Sequence, residues 1–192
     1  LIATTEAITK ATSDIPGGND VITFTPSPSG WTNGSVAVTI NFPSNIAGLK
    51  KQYKIGSSGT WTNYTTAVTM TANGALYARL VDSTGQAGNT ATFNLSKIDK
   101  TAPASFTPTA TSTSNSITLT GSTTDSGSGI KGYYFSKDDG ATWTAIQSGT
   151  SYTFTDLTKN TTYKLRMKAE DNVGLIATTE AITKATSDIP GG

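Results

Sequence analysis

Residues 157–174 read LTKNTTYKLRMKAEDNVG, and this stretch decides the fold. From Tyr163 the apolar side chains fall on every second residue, Tyr163, Leu165, Met167 and Ala169, with Lys164, Arg166, Lys168 and Glu170 between them. A period of two puts the apolar set on one face of a pleated strand and the charged set in water. Asp171, Asn172, Val173 and Gly174 then stop the alternation with turn chemistry.

Working outward, the same pattern recurs at Val36, Val38, Ile40 and Phe42, at Leu49, Lys51, Tyr53 and Ile55, and at Leu76, Ala78 and Leu80. It returns at Ile117 and Leu119, at Ile130 and Tyr134, and at Tyr152 and Phe154. No segment carries a helical stripe with caps. Thr makes up about a fifth of the chain, and this β-branched residue tolerates water, which suits strands with one wet face. The Pro/Gly-rich stretch at residues 14–20 and the stretch 99–103 break the pattern and read as linkers containing Pro16 and Pro103. The expected fold class is therefore all-β, two tandem β-sandwich domains, at residues 19–98 and 99–192, preceded by residues 1–18.

The two modules share a local design. Gly48, Leu49, Lys50, Tyr53, Gly59, Trp61 and Thr62 match Gly129, Ile130, Lys131, Tyr134, Gly140, Trp143 and Thr144 in order and kind. Each reads as a strand, a tight turn and a return strand carrying a Trp. In the second, Asp139-Gly140 has the chemistry of a turn that enters positive φ.

Leu157 six residues before Tyr163, followed by Leu165, Met167, Ala169 and then Asp171 to Gly174, resembles strands E to F of a fibronectin type III domain. The resemblance covers about residues 101–187 and implies a tyrosine corner, with the Tyr163 hydroxyl returning to the main chain of the turn after Leu157. It also implies that residues 175–186 form the last strand. The first module, from Trp31 through Trp61 to Asn89, is similar to bacterial immunoglobulin-like domains strung along cell-surface proteins.

The first eighteen residues, LIATTEAITKATSDIPGG, return letter for letter at residues 175–192, a period of 175 − 1 = 174 residues. Such identity marks one period of a tandem array. Residues 1–18 then carry the last strand and linker of the preceding copy, an orphan strand expected to be disordered or to pair in trans with a neighbouring copy.

Composition removes several classes of function. The chain has no Cys and no His, so it offers neither a thiolate or imidazole ligand for zinc nor a Ser-His-Asp triad. A net charge of +1 leaves no electrostatic footprint for nucleic acid. No apolar run approaches the roughly 20 residues of a membrane span, and any export signal or anchor is expected outside this fragment. Ser and Thr are abundant without an activating base, so no enzymatic activity is expected.

Three candidate sites follow from the residues. In a fibronectin-like topology Asp99, Asp125, Asp171 and Asn172 meet at the junction with the first module, where hard oxygen ligands would hold calcium; their competing role is to cap their own turns. Trp61, Tyr133, Phe135 and Trp143 would form an aromatic platform for stacking on glycan rings, against the alternative of packing between strands. Lys51, in register with Leu49 and Tyr53, would point at the core and join an Asn by an amide crosslink, or else run along the edge to water.

The resulting expectation is a non-catalytic structural repeat of an extracellular, cell-surface stalk, adhesin or filament. Leu157, Tyr163, Pro16 and Pro103 are its structural residues and neighbouring copies its partners. Each sandwich of ordinary strand length spans roughly 30–40 Å, so a period adds roughly 70–80 Å of reach. The alternatives are a glycan-binding adhesive module and an accessory spacer of a secreted polysaccharide-degrading enzyme.

Overall fold

Strands supply all the regular structure among the described residues, which in this computed structural model are 21–44 and 46–188. The expected orphan strand of residues 1–18, with Pro16, lies outside them. The chain divides into two units, Leu1–Ile98 and Asp99–Gly192.

In the first unit the alternating runs become β1 (Thr23–Ser27), β2 (Val36–Asn41), β3 (Lys50–Ile55), β4 (Thr62–Asn63), β5 (Val68–Met70), β6 (Gly74–Val81) and β7 (Ala91–Leu95). They form two antiparallel sheets, in the orders β1-β2-β5 and β4-β3-β6-β7. Val36, Val38 and Ile40 of β2, with Val68 and Met70 of β5, pack on Leu76 and Ala78 of β6 and Leu95 of β7. Each of these side chains other than Ala78 contributes about 1.5–3 kcal/mol by leaving water.

β3 departs from its expected inward row. Lys51 is exposed, its ammonium 5.5 Å from the centre of the Phe42 ring, and Ile55 is 46 % exposed. Only Tyr53 of that strand packs against the core. The Lys51 stem lies along apolar surface while its charge stays in water, so the conditions for an amide crosslink are absent there.

The second unit holds β8 (Thr109–Ser112), β9 (Ile117–Thr120), β10 (Ile130–Ser136), β11 (Ser151–Phe154), β12 (Thr162–Asp171), β13 (Ile176–Thr178) and β14 (Ile182–Ala185). One sheet runs β8-β9-β11, and in the other β12 pairs with β10 on one side and with β13 and β14 on the other. This repeats the plan of the first unit, with Ile117, Leu119, Phe135, Leu165, Met167 and Ala169 fully buried between the sheets.

Three local features differ from expectation. The last strand is interrupted into β13 and β14, because Thr179 turns its hydroxyl inward: Met167 N–H donates to Thr179 Oγ1 at 3.0 Å, while Thr179 N–H donates to the Met167 carbonyl at 2.9 Å. A hydroxyl thus replaces a backbone acceptor across the break. In β10 a register shift between Ile130 and Gly132 inverts the phase of the strand, so Tyr133 and Phe135 face the core rather than Tyr134.

The return strand expected to carry Trp143 is irregular. Asp139 (φ 61°) and Gly140 (φ 89°) make the turn, but the returning chain is joined to β10 by Thr144 N–H to the Phe135 carbonyl, Phe135 N–H to Thr144 Oγ1 and the exchanged pair between Tyr133 and Gln147, not by a continuous ladder.

Candidate functional site

Three loops of the second unit place acidic residues together. Asp99 precedes Pro103 in the segment entering the unit, Asp125 lies between β9 and β10, and Asp171 is the last residue of β12. The incoming segment is docked rather than free: Asp99 and Pro103 are buried, and Ala104 N–H donates to the Thr124 carbonyl at 3.0 Å.

A carboxylate oxygen from each of Asp99, Asp125 and Asp171 lies within 4.8 Å of the others. Each carboxylate is fixed by main-chain donors. Asp99 accepts from Thr101 N–H at 3.0 Å and Ser128 N–H at 2.7 Å. Asp125 Oδ1 accepts from Gly127 and Gly129 at 3.0 and 2.8 Å, and Asp171 Oδ1 accepts from Val173 and Leu175 at 2.9 and 2.8 Å. The expected turn-capping role is therefore real, but it occupies one oxygen of each of the last two groups. Asp125 Oδ2 and Asp171 Oδ2 are buried with no hydrogen-bond partner.

The fit is close. A Cβ added at Gly127 would sit 2.3 Å from the Asp99 carboxyl carbon, so a glycine is required for the loop to close over that group. Asn172, the fourth expected ligand, is exposed and donates its amide to the Ser128 and Gly129 carbonyls at 2.8 and 3.1 Å. It braces the loop that holds the acids. Ser128 was not singled out in the sequence; the run Asp125-Ser126-Gly127-Ser128-Gly129, dense in turn formers and hydroxyls, is the signal that marks it.

Asp139 and Glu170 of this unit, by contrast, have cationic or hydroxyl partners. Asp139 pairs with Arg166 at 2.7 Å and Lys164 at 3.4 Å, and Glu170 takes Lys131 and the Tyr134 hydroxyl. Among the described residues no Lys or Arg pairs with Asp99, Asp125 or Asp171. Two unit charges about 4 Å apart repel by about 4 kcal/mol at an effective dielectric near 20, so this arrangement is costly as it stands. Burial pushes the Asp99 carboxyl up, yet the Thr101 N–H, the Ser128 hydroxyl and the Ser128 N–H outweigh it and hold it below the ordinary carboxylate value.

The aromatic platform is not assembled as expected. Tyr133 and Phe135 belong to the core, at 4 % and 0 % exposure, on the inverted phase of β10. Trp61 is half-buried beneath cations, with the Arg79 guanidinium 4.0 Å and the Lys54 ammonium 5.3 Å from its ring. Trp143 is half-buried as well, with Lys168 Nζ 4.0 Å from its ring, beside a shallow pocket of about 230 Å³ that reaches Tyr152 and Phe154. These contacts are cation–π packing on the outer sheet faces. The more open tryptophan is Trp31, at 41 % exposure.

The tyrosine corner is formed. Thr158 N–H donates to the Tyr163 hydroxyl at 3.0 Å, and Leu157 is buried.

No family model matches the chain. It is similar to Exoglucanase B of Cellulomonas fimi, at 32% identity over 201 residues, covering 95% of this chain and 18% of that protein. The chain thus spans less than a fifth of the curated relative it matches. Among solved structures it is similar to a crystal structure of domains from titin, with a TM-score of 0.51 and 16% identity over 83% of this chain and 61% of the other. A crystal structure of the FN1–FN3 domains of chicken CNTN1 aligns with a TM-score of 0.37 and 14% identity, over 83% of this chain and 65% of that one. The titin likeness, with the paired sheets and the tyrosine corner, makes the fold two tandem β-sandwiches of immunoglobulin and fibronectin type III kind.

Proposed function

We propose that the chain is a non-catalytic spacer of an extracellular protein, a repeat whose output is distance. The observation that carries this reading is the return of residues 1–18 as residues 175–192, which makes the two-sandwich period a unit for stacking. Its partners are the neighbouring copies. Residues 2–11 have the same sequence as the segment spanning β13 and β14, so exchange of that segment between copies belongs to the same proposal.

Small-angle scattering on chains of one, two and three periods tests it. The maximum dimension should grow by roughly 70–80 Å with each period. Collapse of the longer chains into globules, or substrate turnover by a single period, ends the proposal.

A second reading sets this spacer in a secreted polysaccharide-degrading enzyme, and the 32% identity to an exoglucanase over 95% of the chain favours it over a surface adhesin. Deleting the period from its parent protein should then lower activity on insoluble polysaccharide and leave activity on a soluble oligosaccharide unchanged. A glycan-binding role instead requires binding on a glycan array that disappears in Trp143→Ala.

A further inference from the structure

We propose that Asp99, Asp125 and Asp171, with the hydroxyl of Ser128, bind one calcium ion at one end of the second sandwich. The proposal rests on two independent observations. Three carboxylates converge within 4.8 Å, and among the described residues no cationic side chain pairs with them. Separately, Asp171 is fully buried, and its Oδ2 has no donor in its surroundings; Asp125 Oδ2 is left in the same condition. A buried carboxylate oxygen left without a proton donor, in a residue grouped with two further carboxylates, is the state that a metal ion relieves.

The donor set selects the ion. All the ligand atoms are hard oxygens in a chain with no His or Cys, which excludes the ordinary zinc sites. Magnesium demands a near-regular octahedron and keeps most of its waters, whereas calcium accepts irregular sets of carboxylate, hydroxyl and water oxygens. Three carboxylates, each fixed to its own segment by main-chain donors, suit the more tolerant ion. Three carboxylates and one hydroxyl leave positions for water, as calcium's six to eight ligands permit. The ion would tie the incoming segment, the β9–β10 loop and the end of β12 to one another, with Asn172 bracing the second of these.

The test uses the full chain stripped with chelator and titrated with calcium chloride. Calorimetry should give one site per chain. Hydrogen exchange should slow at residues 125–129 and 171–175, and the same concentration of magnesium chloride should do neither. Asp125→Asn keeps an oxygen for the Gly127 and Gly129 donors but replaces the orphaned oxygen with an amide, and should weaken calcium binding by at least about tenfold. Asp171→Asn should do the same. It should also melt no lower than the metal-free parent, because one repelling charge is gone; if it does not fold, Asp125→Asn decides alone. Absence of binding at millimolar calcium, an equal response to magnesium, or unchanged affinity in Asp125→Asn overturns the proposal.

Discussion

Tyr163 reaches back five residues to Thr158, whose N–H it accepts at 3.0 Å, so that the start of β12 is tied to the turn that delivers it. The bond closes the connection between the two sheets, and buried Leu157 anchors the other end of that turn. Tyr163→Phe keeps the ring and removes only the acceptor. It should lower the stability of the second unit by about 1 kcal/mol, the worth of a single partly exposed hydrogen bond. Denaturant unfolding should place the loss in the transition of that unit, with the first unit unaffected; equal melting of parent and variant would mean the corner is incidental.

Phe135 and Trp143 separate core from surface. Phe135 is fully buried, and its ring stacks 5.6 Å from that of Tyr152. Phe135→Ala should cost about 3–5 kcal/mol, whereas Trp143→Ala, losing chiefly the Lys168 contact, should cost about 0.5–2 kcal/mol. Chemical denaturation of the two variants measures both. A small loss at Phe135 together with a large one at Trp143 would reverse the assignment of the faces.

How far the sequence reveals this molecule turns on where periodicity survives. Val36, Val38 and Ile40, or Leu165, Met167 and Ala169, announce their strands because each row is uninterrupted and buried throughout. In β10 the register shift before Gly132 adds one residue, so Ile130 and Tyr134, in phase in the sequence, fall out of phase in space. Nothing in the string Tyr133-Tyr134-Phe135 says which parity faces inward, which is why the aromatic platform dissolves into the core. The acidic cluster was legible in its residues, since Asp99, Asp125 and Asp171 mark turns in any sandwich of this plan. The orphaned oxygens were not legible, because they depend on which main-chain N–H groups each carboxylate meets.

Asp138 should control part of the acid response of the same unit. The Thr142 hydroxyl, then the Thr142 N–H and the Ser136 hydroxyl, stabilise its ionised form and lower its pKa from 3.8 to about 2. Because the folded value lies below the unfolded one, its stabilising contribution is present above about pH 4 and is lost as pH falls through about 2. Asp138 is exposed, and screening limits the effect to about 1 kcal/mol. The stability gap between parent and Asp138→Asn should stay constant from neutral pH to about 5 and close as pH approaches about 2. Unfolding curves across that range test the sign; a gap that widens in acid would contradict it.

Gly132 follows the register shift in β10 and lies directly beneath the returning chain. A Cβ there would lie 2.7 Å from the Gln147 carbonyl oxygen and 2.8 Å from the Ile146 side chain. The first of these atoms is backbone, held by the exchange of hydrogen bonds between Gln147 and Tyr133 at 2.8 and 3.0 Å, so it cannot swing aside. Gly132→Ala must therefore push the returning chain away from β10 and stretch the pairing that seats Tyr133. The expected cost is about 1–3 kcal/mol, as for other insertions into well-packed sites, despite the higher β-propensity of alanine. Hydrogen exchange should quicken at the Tyr133 and Gln147 amides and leave β12 and β14 unchanged. Stabilisation by the added methyl would mean that the close approach of these two segments is not what fixes the strand.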